Sequence, residues 1–80
     1  MADEVTERVR KVIATTLKVP LERIVPAAHF VRDLGMESIK SVELIAALEE
    51  EFNVEIDADS VGEILTVEKS IAYMQKAAKA

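Results

Sequence analysis

The residues best placed to do chemistry lie in one run, Asp33-Leu34-Gly35-Met36-Glu37-Ser38-Ile39-Lys40-Ser41-Val42-Glu43-Leu44. It sets Ser38 between a glycine turn and a strongly amphipathic segment. A hydroxyl there stands in solvent, on a fixed backbone, beside a helix N-terminus. It suits a group that another protein modifies. It does not suit a catalytic nucleophile, because no base is supplied nearby. The commoner role of a serine at such a junction is an N-cap. The positive end of a helix also favours a phosphodiester. Gly35 and Met36 keep the turn open on one side.

The remaining candidates are weaker. His29 is the only histidine and there is no cysteine, so a hydrolytic triad, thiolate chemistry and a cysteine metal site are not expected. His29 reads as a loop residue. Asp57, Asp59, Gly62 and Glu68 match the first, third, sixth and twelfth positions of a calcium loop. Val61 fails at the fifth, which needs an oxygen ligand. Glu49, Glu50 and Glu51 are consecutive, and a helix splays consecutive side chains around its axis. No metal site is expected.

Eighty residues make a single domain over 1–80. Phe30, Phe52 and Tyr73 are the only aromatics, so the core must be Val, Ile and Leu, with little volume for a deep active site. This argues against an enzyme. The chain starts Met-Ala-Asp-Glu, not with a basic and then apolar run, and no apolar stretch could cross a bilayer. A cytoplasmic protein without membrane insertion is the expectation. Residues 33–68 hold eleven acids against Lys40 alone, whereas the rest holds four acids and nine bases. Such asymmetry suits a basic protein surface docking on the acidic half, with attraction that fades in salt. Phosphates would be repelled, so no nucleic acid partner is expected.

Helices must position these groups. Val5, Val9, Val12, Ile13 and Leu17 fall at helical spacing, with Asp3 as cap and Val19-Pro20 as stop. Residues 18–37 form a long ordered connection with a short helical turn near 21–24, and Leu21, Ile24, Val25, Phe30, Val31 and Leu34 are expected to be buried. A second helix runs from Ser38 to Phe52 on a stripe of Leu44, Ile45, Leu48 and Phe52, with Lys40, Glu43, Glu49 and Glu50 facing away. Asn53 to Ile56 reads as an extended exit. Asp57 caps a short helix to about Leu65. Thr66 caps the last helix, lined by Val67, Ile71, Met74 and Ala78. The fold class is all-α: a small four-helix bundle of three main helices, one short helix and a long first loop.

The run Phe30 to Leu44, continued through Leu48-Glu49-Glu50-Glu51-Phe52, resembles the core of an acyl carrier protein. The pattern Val5-Val9-Val12-Ile13, the Ile56-Asp57 exit, and Leu65-Thr66-Val67 leading to Ile71-Ala72-Tyr73-Met74 agree, so the resemblance spans the chain. It implies 4′-phosphopantetheine on Ser38, donated from coenzyme A by a phosphopantetheinyl transferase. Asp33, Gly35 and Glu37 would frame the attachment point. The arm would hold acyl groups as thioesters for acyl-transfer and synthase enzymes with basic docking surfaces. Met36, Ile39, Glu43, Glu49 and Glu50 would meet those partners, and Leu44, Ile45, Leu48, Ile64 and Ile71 would line an acyl-chain slot. A monomer is implied. The family usually reads Asp-Ser-Leu where this chain has Glu37-Ser38-Ile39, and Lys40 stands where an acid is common. Those departures suit a specialised carrier serving a dedicated ligase or synthase. A peptidyl or aminoacyl carrier with the same arm, and an unmodified calcium-binding or structural helical module, are the alternatives.

Overall fold

A computed structural model describes residues 4–57, 60, 62 and 64–79, with side chains through residue 77. Its α-helices are α1 (Glu4–Leu17), α2 (Ser38–Phe52) and α3 (Val67–Lys79), with a 3-10 turn at Leu21–Arg23. No strand occurs among the described residues. The second-helix boundaries match those the sequence predicts.

Apolar spacing dictates which faces meet. Val9 and Ile13 from α1, Leu44 and Leu48 from α2, and Val67, Ile71 and Met74 from α3 are buried in one cluster. Both α2 and α3 pack on α1. Each of the first two helices ends in a left-handed residue. Lys18 (φ 56°) and Asn53 (φ 54°) take that conformation. The next amide then reaches back, Val19 N–H to the Ala14 carbonyl and Val54 N–H to the Glu49 carbonyl, both at 3.1 Å. Asn53 is thus a helix cap rather than the start of an extended exit. Asparagine tolerates this region better than most residues.

The connection between α1 and α2 is ordered, and it buries Ile24, Ala28, Phe30 and Leu34. Leu21, Val25 and Val31 depart from expectation and are exposed. For Leu21 the reason is polar. Half-buried Arg10 donates from Nε to the Ile24 carbonyl (3.0 Å) and from an Nη to the Leu21 carbonyl (3.1 Å). This guanidinium fastens the 3-10 turn to α1, so the turn needs no burial of Leu21.

The connection also pairs with the approach to α3. Phe30 N–H donates to the Leu65 carbonyl, Val67 N–H to Ala28 and Glu68 N–H to Pro26, each at 3.0 Å. His29 and Thr66 form an isolated antiparallel bridge. Thr66 caps α3 as predicted, its Oγ1 accepting the Lys69 N–H at 3.2 Å. Ser70 is fully buried and satisfies itself by donating to the Val67 carbonyl at 2.7 Å. The short helix expected from Asp57 rests largely on residues outside the described set. So do the Asp3 cap and the calcium-loop positions Asp59 and Val61. Ser60 is helical and its N–H donates to the Asp57 carbonyl at 2.9 Å, while Ile64 and Leu65 are not helical. No helix among the described residues is long and apolar enough to cross a membrane.

Candidate functional site

The site is built on a hydrogen-bonded turn that runs into α2. His29 begins it. Its Nδ1 accepts the Val31 and Arg32 N–H groups at 3.1 and 3.2 Å. The Asp33 carboxylate returns to accept the His29 N–H at 2.7 Å. The pattern is a reciprocal cap with histidine in the place that serine or threonine usually fills. The His29 carbonyl also accepts the Asp33 and Leu34 amides. Arg23 donates to the Asp33 carbonyl at 2.9 Å. Asp33 therefore acts on the turn that carries the hydroxyl.

Phe30 and Leu34 plug this turn into the core. Gly35 then takes φ +66°, a conformation that costs an L-residue roughly 1–2 kcal/mol. A Cβ there would meet nothing within 4 Å, so the demand for glycine is conformational, not spatial. Met36 N–H returns to the Phe30 carbonyl at 2.9 Å and closes the loop.

Ser38 follows at once, exposed, as the first residue of α2. The N-cap is Glu37, in extended backbone and without a side-chain cap bond. Ser38 therefore does not take the N-cap position, the commoner role of a serine at such a junction. Ser38 lies one residue inside the helix, so capping does not consume its hydroxyl, which has no hydrogen-bond partner among the described residues. Its carbonyl accepts the Ser41 Oγ at 2.6 Å. Val31, Met36, Glu37, Ile39 and Ser41 surround Ser38 in a shallow depression.

The other predicted site residues divide by position. Ile39, Glu43 and Glu50 are exposed on α2, and Met36 is half-buried in the depression it shares with Ile39. Glu43 pairs with Lys40 at 3.3 Å. Glu49 departs from the expectation that it faces away from the bundle. It is half-buried and its Oε2 accepts the Ile56 N–H at 2.8 Å. Leu44, Leu48, Ile64 and Ile71 are buried together, and Ile45 packs against them. No group of three or more His, Cys, Asp or Glu that could hold a metal occurs among the described residues.

Sequence reasoning missed the His29 cap and the Arg10 clamp. Neither carries a clear sequence signal: a capping box places its acid three residues after the cap, and Asp33 follows His29 by four.

Ser38 thus offers a free hydroxyl on the first turn of α2, after a loop with a left-handed glycine. A family model described as the phosphopantetheine attachment site matches residues 7–74. That span covers well over half of the chain, and the protein belongs to the phosphopantetheine-attachment family, whose prosthetic group is covalent 4′-phosphopantetheine.

Proposed function

We propose that the protein is a discrete acyl carrier that takes 4′-phosphopantetheine on the Ser38 hydroxyl. The observation that carries this is the exposed Ser38 at the first position of α2, with its oxygen left free by the Glu37 cap. A phosphopantetheinyl transferase would join Ser38 Oγ to the phosphorus of the pantetheine phosphate in coenzyme A. The phosphoanhydride bond breaks, adenosine 3′,5′-bisphosphate leaves, and the serine proton passes to a base of the transferase. The arm supplies a terminal thiol for thioester chemistry, and this chain's residues supply position and recognition.

Acyl groups of fatty-acid or related polyketide and specialised lipid synthesis are the proposed cargo. The core supports this reading. Both α2 and α3 pack on α1, and the segment after α2 adds Val54, Ile56 and Ile64 to the same apolar cluster. Leu44, Leu48, Ile64 and Ile71 are buried together with Ile45 against them, an aliphatic set that would have to part to admit a flexible chain. Glu37 flanks the attachment point, and Gly35 and Asp33 fix its approach. Ile and Leu make up this lining, which suits an aliphatic chain more than a polar aminoacyl group, so the acyl reading stands ahead of the peptidyl one.

The test is intact-mass spectrometry after incubation with coenzyme A and a broad-specificity transferase. The expected result is a mass gain of one 4′-phosphopantetheine, absent in Ser38→Ala. An unchanged wild-type mass with several such transferases would contradict the proposal.

A further inference from the structure

The turn before Ser38 is capped by the chain's single histidine, and by one atom of it. His29 Nδ1 accepts the Val31 N–H at 3.1 Å and the Arg32 N–H at 3.2 Å. A ring nitrogen that accepts carries no hydrogen, so this imidazole is neutral with its one N–H at Nε2. Serine, threonine, asparagine and aspartate, the usual residues for such a role, still accept at mildly acidic pH. Imidazole does not. It ordinarily takes up a proton between about pH 5 and 8, and both nitrogens of the imidazolium are donors.

A proton bound from solvent at Nδ1 therefore removes both cap bonds at once. No second acceptor for the Val31 or Arg32 amide occurs among the described residues. Both residues are exposed, so water can receive the two amides and the bundle need not unfold. The loss runs along the chain toward the hydroxyl. The Val31 carbonyl accepts the Gly35 N–H at 3.2 Å, and Gly35 is the left-handed residue that turns the chain into α2. Val31 also lines the depression around Ser38 with Met36 and Ile39. One ring nitrogen thus holds the residue on which both the glycine turn and the surroundings of Ser38 lean.

The charged groups of this turn and of the elements packed on it are few. Asp33 and Arg32 share the turn, Arg23 lies in the 3-10 turn, and Glu37 caps α2. Glu68 and Lys69 stand in the first turn of α3, beyond the His29–Thr66 bridge. Only the three carboxylates could accept an amide in place of the ring. Asp33 Oδ2 is already bonded to the His29 N–H at 2.7 Å, and Glu37 and Glu68 are exposed on other elements.

We infer that His29 is a positioning residue for the modification of Ser38, and that it holds the hydroxyl in place only while its ring is neutral. The cap is present on the alkaline side of the imidazole range and is lost as pH falls through it, so loading slows in acid. The inference rests on the carrier reading of Ser38 and deepens it.

The test uses the full-length apo protein, coenzyme A and one broad-specificity transferase. Loading is read as kcat/KM by intact mass at about pH 7.5 and about pH 5.5, toward the two ends of the imidazole range. Wild type, His29→Asn and His29→Ala are compared, and thermal melts at both pH values establish that each is folded. Asparagine accepts at either pH, so the ratio of wild type to His29→Asn cancels the transferase's own pH dependence. That ratio should fall at least about threefold from the higher pH to the lower. His29→Ala, which has no acceptor, should trail His29→Asn by the same factor at both. By NMR of the apo protein, the hydrogen-exchange protection factors of the Val31 and Arg32 amides should drop as the His29 ring titrates, and should hold in His29→Asn. A ratio independent of pH, or protection at Val31 and Arg32 that survives protonation of the ring, overturns the inference. Failure to load the wild type even at the higher pH removes the carrier reading itself, and the positioning role falls with it.

Discussion

Gly35 and His29 set the position of Ser38, and each acts through one property. Gly35 supplies φ +66° in open space. Gly35→Ala should therefore destabilise the fold by about 1–2 kcal/mol, all of it conformational. Urea unfolding measures it, and a loss near zero would mean that the turn relaxes. His29 supplies an acceptor for two backbone amides. His29→Ala should cost about 1 kcal/mol, the usual value of an N-cap, and His29→Asn should recover most of it. Equal losses in the two variants would show that ring packing, not the acceptor, matters. The exposed serine was legible in the sequence, since a glycine turn before an apolar stripe permits few arrangements. The roles of His29 and Glu49 were not. Histidine is an uncommon cap, and three consecutive glutamates look equally solvated until the chain returns and brings the Ile56 amide to one of them.

Among the elements, α2 was the most legible, because turn and stripe agree on its limits. The 18–37 connection was the least. Its apolar residues have no period, so burial could not be assigned by spacing. Ile24, Phe30 and Leu34 went inside, and Leu21, Val25 and Val31 did not. A tertiary partner decided the first of these, since Arg10 fastens the 3-10 turn from α1. Arg10→Ala should destabilise by about 1–3 kcal/mol, because two charge-assisted bonds to carbonyls are lost in a half-buried site. Amide hydrogen exchange should accelerate first at Arg23 and Ile24, whose N–H groups close that turn. Faster exchange confined to α3 would contradict the clamp.

Across the molecule, the eleven acids of residues 33–68 stand against one base. Glu43, Glu49 and Glu51 find local partners, but Glu37, Glu50 and Glu55 remain exposed. Self-repulsion of these carboxylates should limit stability at low ionic strength. Moderate salt should raise the thermal midpoint by a few degrees, about 1 kcal/mol at this size. A midpoint that falls with salt would mean that the ion pairs of α1 and α2 outweigh the repulsion. The same asymmetry was visible in the sequence as a promise of a basic partner. Only the fold shows that much of this charge is spent inside the chain and that apolar surface borders Ser38.

The most direct measurement is tandem mass spectrometry on the protein purified from its source, digested so that Ser38 and Ser41 can be told apart. The expected result is 4′-phosphopantetheine on the Ser38 oxygen. An unmodified Ser38 peptide, or the arm found on Ser41, would contradict the assignment of the free hydroxyl at the head of α2 as the attachment point.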